Sequence, residues 1–297
     1  MTHTFFAMGT TVTVIIPGLA PEREAGLAGL VGRLFEEQER VFSRFRPGSE
    51  LSRLNRSVGP TVVSDALCDA LSRAAKHRAA TRGLFDPAVG ACLAAAGYDR
   101  SFAPGALDRE WPAAAPRPPR GWTLDRSARR VEIDPGVELD LGGMVKGLTV
   151  DRALDLLPSS AAVDAGGDAA LRGDGPEGEG WLVDVEDPRD ASRVLVTLRL
   201  RGGAIATSAS NRRSWRRGTA RMHHLINPRT GAPAETDLAQ ATVLAETAER
   251  ADVLAKVAFV LGSSDGATFL RQVGASGVLV KRDGRVLDVG RLEVCDA

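Results

Sequence analysis

The second half of the chain breaks into short aliphatic and β-branched runs at 122–141, 161–173, 181–186, 193–200, 203–207, 241–245 and 277–289, each bounded by Gly, Pro or Asp. Helical spacing interrupts them only at about 145–157 and 249–261. Runs of strands beside a few helices predict an α+β fold of antiparallel sheets, not a strictly alternating parallel one. In the first half, residues 5–16 alternate around Thr11, Val12, Thr13 and Val14 and end at Pro17-Gly18, the pattern of a half-buried strand closed by a turn. From Pro21 to Phe42, Leu27, Leu30, Leu34 and Val41 recur at helical intervals among Arg and Glu. A second helix is expected over 64–82, with Ser64 as N-cap and Gly83 as its stop. Residues 98–121, which hold Pro104, Pro112, Pro116, Pro118 and Pro119, read as a surface excursion. The acidic, glycine-rich stretch 173–180 reads as a hairpin loop, and no linker composition divides the chain, so 1–297 is expected to be one domain.

With 297 residues and 43% hydrophobic content, the chain can bury a full core. Thirty-eight basic residues balance thirty-eight acidic ones, so no global field favours nucleic acid or an anionic membrane. Cys68, Cys92 and Cys295 are odd in number and widely separated, which argues against a disulfide framework or a zinc site. The start, Met-Thr-His-Thr-Phe-Phe-Ala, lacks a basic segment followed by an apolar run, and no stretch is read as the ~18 apolar residues of a membrane span. A cytoplasmic protein is the expectation, with an exported form whose leader has been removed left open.

Asp140-Leu-Gly-Gly-Met-Val-Lys-Gly-Leu-Thr-Val-Asp151 carries the most chemistry. Gly142 and Gly143 allow backbone to approach a ligand, and Lys146 adds a mobile cation at the start of a helix. That order suits a phosphate held against amides. A tight strand-to-helix turn with a solvated lysine is the other reading. Ser43 to Asn55 is either a capped short helix or a ligand-facing segment. Gly166-Gly167, inside 163–173, is either a β-bulge or a place where a ligand meets backbone. His223 and His224 sit beside Asn227-Pro-Arg-Thr-Gly231; adjacent residues of an extended segment point oppositely, so one imidazole can face a site while the other faces outward. Asp252 and Lys256 are four apart on one helix and share a face, as in an ordinary surface ion pair.

In this order, Phe6-Ala-Met-Gly-Thr10, Ser43 to Asn55, Phe85-Asp-Pro87, Asp140 to Asp151, Asp164 to Asp168, Ala206-Thr-Ser208, His223 to Gly231 and the Ala251-Asp252 helix resemble the ApbE family, the FAD:protein FMN transferases. The resemblance spans about residues 5–262. It implies a single bilobed α+β domain with FAD in a cleft between lobes, and Mg²⁺-assisted transfer of FMN to a Thr or Ser hydroxyl of a target flavoprotein, releasing AMP. It also implies that Met8, Asn55, Asp86 and Asp168 line the flavin or adenosine, that Thr207 and Ser208 border the phosphates beside Gly142, Gly143 and Lys146, and that His224, the better match of the two histidines, contacts flavin or assists the hydroxyl, which leaves His223 facing outward. Arg229 is assigned to the turn that follows. A homologue that binds or hydrolyses FAD without labelling a protein is the alternative. A nicotinamide dehydrogenase is disfavoured because no Gly-x-Gly-x-x-Gly follows a strand and opens a helix.

One departure stands out. The family pattern implies Mg²⁺ bound by the Gly143 carbonyl, Asp252 and a threonine four residues on, but that position is Lys256. An ammonium has no lone pair to give a cation. Either Lys256 takes the place of the metal and serves the pyrophosphate itself, or it swings away and leaves Mg²⁺ to Asp252, Gly143, water and FAD, or transfer is lost. The first is the expectation.

Overall fold

The computed structural model describes residues 2–102, 118 and 121–295, so most of the expected 98–121 excursion lies outside the described residues. The elements run β1 (Thr2–Ala7), β2 (Thr10–Ile15), α1 (Pro21–Phe42), α2 (Glu50–Asn55), β3 (Thr61–Val62), α3 (Asp65–Ala80), α4 (Gly90–Ala95), β4 (Trp122–Asp125), β5 (Arg130–Ile133) and α5 (Val145–Asp155). There follow β6 (Ala161–Ala165), β7 (Asp168–Arg172), β8 (Trp181–Asp187), β9 (Asp190–Leu200), β10 (Gly202–Ala209), β11 (Ser214–Arg217), β12 (Ala220–His223), β13 (Ile226–Asn227), β14 (Ala232–Pro233), β15 (Leu238–Ala245), α6 (Ala248–Gln272), β16 (Ser276–Lys281), β17 (Val286–Val289) and β18 (Val294–Cys295). The α+β expectation holds: every pair in the sheets is antiparallel. The chain forms two compact units, one made of Met1–Glu36, Lys146–Ala209 and Thr236–Ala297, the other of Glu37–Val145 and Ser210–Glu235.

The first unit is built on an eight-stranded sheet in the order β1-β2-β6-β7-β10-β15-β16-β17. Alternation along β10 shows how it is packed. Ala204 and Ala206 join a core with Val31 and Phe35 of α1, Val150 and Ala153 of α5, and Ala248 and Ala251 of α6. Ile205, pointing the other way, joins Trp181 and Val185 of β8 and Leu198 and Leu200 of β9. Helices therefore cover one face of the sheet and the β18-β9-β8 sheet covers the other, which explains strands that read as near-continuous aliphatic runs. The 173–180 stretch connects β7 to β8, which belong to different sheets, so it is a crossover and not the hairpin loop expected.

Two expected single strands are hairpins. Residues 5–16 divide into β1 and β2 at Met8 and Gly9, with φ of 50° and 70°. Two successive positive φ values match the right-handed twist of the flanking strands, but methionine is not a residue that advertises such a turn. Likewise β6 and β7 join at Gly166 and Gly167, φ 68° and 94°, so the Gly-Gly pair is a hairpin tip and not a bulge. The Asp164 carboxylate accepts from both glycine amides, at 3.2 and 2.9 Å.

α6 is long and apolar enough to cross a membrane by length and composition, which the sequence reading of spans overlooked. Its residues Ala251 to Ala255 and Val257 to Phe259 are instead core, packed on β10 and β15. Gly262, φ 82° and ψ 179°, interrupts the helix where the sequence predicts its end. Asp237 then takes the Ser263 N–H and O–H at 2.9 and 2.6 Å and pairs with Lys281 at 3.0 Å.

In the second unit, Ser64 caps α3 as expected by accepting from the Leu67 amide at 3.2 Å, and Gly83 ends it with a 2.8 Å bond to the Arg78 carbonyl. β3-β5-β4 form a small sheet, and β11-β12 and β13-β14 are hairpins. A core under the two hairpins and α4 gathers Cys92, Leu93, Ala96, Tyr98, Trp215 and Ile226, with the Trp215 indole N–H donating to the Ala96 carbonyl at 3.0 Å.

Candidate active site

In the first unit the polar residues singled out in the sequence collect around two hairpin tips. A Cβ added to Gly166 would lie 2.1 Å from Thr10 Oγ1, so the β6–β7 tip lies against the β1–β2 hairpin that holds Met8. The Thr207 amide donates to the Gly167 carbonyl at 3.1 Å, and its hydroxyl meets that of Thr242 at 2.9 Å. Ser208, next along β10, is buried. Asp168, the first residue of β7, is 1% exposed, and Lys146 at the start of α5 places its ammonium on Asp168 Oδ2. Lys146 is therefore not the solvated lysine of the bland reading. It is a cation fixed beside a glycine tip by a buried carboxylate.

A second pair of the same kind lies on α6. Lys256 Nζ bonds Asp252 Oδ1, while Asp252 Oδ2 is buried and has no hydrogen-bond partner among the described residues. Asp252 is 2% exposed, so the ordinary surface ion pair expected at i, i+4 is in fact anchored in the core. Burying a carboxylate this deeply is unfavourable unless it is paired.

The second unit holds the remaining candidates, and here polar groups serve the backbone. The Asn55 side chain brackets Leu139, donating to its carbonyl and accepting from its amide, each at 2.9 Å. Asp86, buried, caps the turn at Ala88 through Oδ1 at 3.0 Å and takes Arg78 Nε on Oδ2 at 2.7 Å. A Cβ on Gly90 would lie 2.6 Å from the Glu138 carbonyl, so only glycine lets α4 approach the 138–141 segment. The consequence is a rigid approach to the Gly142-Gly143 turn. Asp140 Oδ1 accepts from the Gly142 amide at 2.6 Å, and its Oδ2 is held by Arg44 Nε at 2.5 Å. Arg44, which sequence reasoning missed, also donates to the Tyr98 carbonyl at 2.6 Å, and its guanidinium carbon lies 4.1 and 4.8 Å from the Phe45 and Tyr98 ring centres. Its only sequence signal was its place at the head of the Ser43 to Asn55 segment.

The two histidines differ from expectation in one respect. His223, expected to face outward, is 7% exposed, with Nε2 at 3.2 Å from the Ala234 carbonyl and Nδ1 accepting from the Leu225 amide at 3.3 Å. The short β13-β14 hairpin folds over that side of the extended segment and buries it. His224 is half-buried, and its Nδ1 lies 3.3 Å from the Arg213 carbonyl. A carbonyl can only accept, so in this bond the proton sits on Nδ1. The turn assigned to Arg229 is closed by Asn227, whose Oδ1 accepts the Arg229 amide at 3.0 Å.

The residues present do not fit a protein-built Mg²⁺ cage. The buried, partnerless Asp252 Oδ2 is an acceptor suited to a cation, but Lys256 offers no oxygen and already places a positive charge on the same carboxylate. Among the described residues no group of three His, Cys, Asp or Glu side chains gathers.

The first unit is thus an antiparallel α+β scaffold in which two lysines are each anchored by a buried carboxylate. The profile of the ApbE family matches residues 8–279, and the chain belongs to that family. It is 30% identical to the FAD:protein FMN transferase of Treponema pallidum, over 98% of this chain and 88% of that protein. To the FAD:protein FMN transferase of Escherichia coli K12 it is 27% identical, over 93% and 83%. The crystal structure of the ApbE protein of Thermotoga maritima superposes with a TM-score of 0.83 at 26% identity, covering 97% of this chain and 96% of that one.

Proposed function

We propose that this chain is an FAD:protein FMN transferase, and that its substrates are FAD and a flavoprotein bearing an acceptor Thr or Ser. The observation that carries this reading is the pair of lysines, Lys146 and Lys256, each held by an aspartate no more than 2% exposed, within one unit of a family member. In the reaction the acceptor hydroxyl oxygen attacks the FMN-side phosphorus of FAD. The bond from that phosphorus to the bridging oxygen breaks, its electron pair leaves on AMP, and the hydroxyl proton goes to a base. Charge grows on the bridging oxygen, so groups that neutralise it without moving lower the barrier. Lys146 and Lys256 supply that charge, and their carboxylate partners hold them in place beforehand. His224, with Nδ1 protonated towards Arg213, is the base. Met8, Thr207 and Ser208 border the dinucleotide in this reading, with Asp168 acting through Lys146. Within the second unit Asn55 and Asp86 brace backbone, and Asp140 holds the Gly142 amide of the Gly142-Gly143 turn. Lys256 takes the role that Mg²⁺ would otherwise fill.

The test is to incubate the protein with FAD and an acceptor flavoprotein and weigh the acceptor. A mass gain of one FMN with release of AMP is expected. Free FMN and AMP with an unlabelled acceptor would replace the transferase by a hydrolase.

A further inference from the structure

Asp151, on α5 one turn beyond Gly147, is left unexplained by the reaction above. Its carboxylate does not serve its own helix. Oδ1 accepts from the Ala248 amide at 2.7 Å and Oδ2 from the Glu249 amide at 3.0 Å, the first two donors of α6. These are donors that a helix cannot satisfy internally. α6 has its own cap as well: Thr247 accepts from the Arg250 amide at 3.2 Å. Asp151 therefore adds a fastening between helices to an end already capped. The fastening has a second point on the same face of α5. A Cβ at Gly147 would lie 2.4 Å from the Ala248 carbonyl oxygen, so the backbone of α5 bears directly on the first turn of α6. Burial pushes the Asp151 carboxyl above the usual carboxylate range, and the two amides oppose that push. Lys146 is the neighbour of Gly147, and Asp252 with Lys256 lies one and two turns along α6.

We propose that Asp151 is a positioning residue for the transfer reaction: it locks α6 to α5, so that Lys256 is held in fixed relation to Lys146 and both charges meet the diphosphate together. This rests on the FMN-transferase reading. Its effect is exerted through Lys256 and not on the substrate.

Asp151→Asn keeps the shape and one good acceptor, so the variant is expected to fold. It should bind FAD about tenfold more weakly and transfer FMN about tenfold or more slowly, since small misplacements of charge are costly, with the KM for acceptor unchanged. In a Lys256→Met background the same substitution should add little, because the group it positions is gone. Thr247→Ala, which removes only α6's own cap, should lower the melting temperature and leave FAD affinity and turnover near wild type. Should Asp151→Asn not fold, Asp151→Glu takes its place, keeping the carboxylate but displacing the helix. The proposal is overturned if the Asp151 variant binds FAD and turns over as wild type, if its loss is equally large in the Lys256→Met background, or if Thr247→Ala reproduces it. If wild type labels no acceptor, the transferase reading fails separately, and the same variants are compared by FAD affinity alone.

Discussion

One turn apart on α6, Lys256 places its ammonium on Oδ1 of Asp252, whose other carboxylate oxygen is buried without a donor among the described residues. The pair is neutral overall, with the Lys256 ammonium on one carboxylate oxygen and, among the described residues, an unfilled acceptor at the other. Isothermal titration of FAD into wild type should give the same affinity with EDTA as with Mg²⁺. Lys256→Thr should bind FAD about 10–100-fold more weakly in EDTA, the scale of a lost charge-assisted hydrogen bond, and Mg²⁺ should restore the affinity. Strong metal dependence in wild type would reject lysine as the substitute.

The Lys146–Asp168 pair leads to a different test, because its carboxylate is almost wholly enclosed. Lys146→Met strands that charge and should destabilise the protein by roughly 2–4 kcal/mol in urea unfolding. Adding Asp168→Asn should recover most of that loss while FAD affinity stays low. A double variant that binds FAD like wild type would reduce Lys146 to a structural ion.

For His224, the expected signature is kinetic. His224→Gln should slow FMN transfer by about a hundredfold and leave FAD affinity within about threefold, because general-base assistance acts on the barrier and not on ground-state binding. Unchanged transfer in the variant would move the proton to another group.

Asp237 predicts a pH dependence of stability. Burial would raise its carboxyl, but Ser263 and Lys281 outweigh that and hold it down at about 2, against an ordinary 3.8. A depressed folded value means that its stabilisation is present above the unfolded pKa and is lost as pH falls through the folded one. Asp237→Asn should therefore be less stable than wild type at pH 5 by about 1 kcal/mol, a figure discounted for the exposure of the site, and the gap should close towards pH 2. Thermal melts across that range check it; a constant gap would show that the lost bond geometry, not the charge, matters.

Much of the fold was legible because it rests on local patterns. The limits of α1, the Ser64 cap and Gly83 stop of α3, and the break at Gly262 each follow from residues within one turn. The hairpin at Met8-Gly9 was not legible, since the left-handed conformation there is imposed by pairing of β1 with β2 and not by residue type. In the candidate site, Lys146 and the Asp252–Lys256 pair stood out by spacing. The partner of Lys146 did not, because Asp168 reaches it through the β6–β7 tip. Arg44 and Asp151 were silent for the same reason: their acceptors and donors, at Asp140 and at Ala248 and Glu249, are remote in the chain.

The order of strands in the eight-stranded sheet has a consequence for how the protein comes into being. β2 finds its second neighbour only when Val12 meets Ala165, and β10 is not enclosed until Ala206 meets Val243. Pairings between such distant positions must first overcome the entropy of closing the intervening chain, so they form late. Asp168 can hold Lys146 only once β7 has joined this sheet, and a polypeptide truncated before β15 would leave β10 without one of its neighbours and lack the Asp252–Lys256 pair altogether.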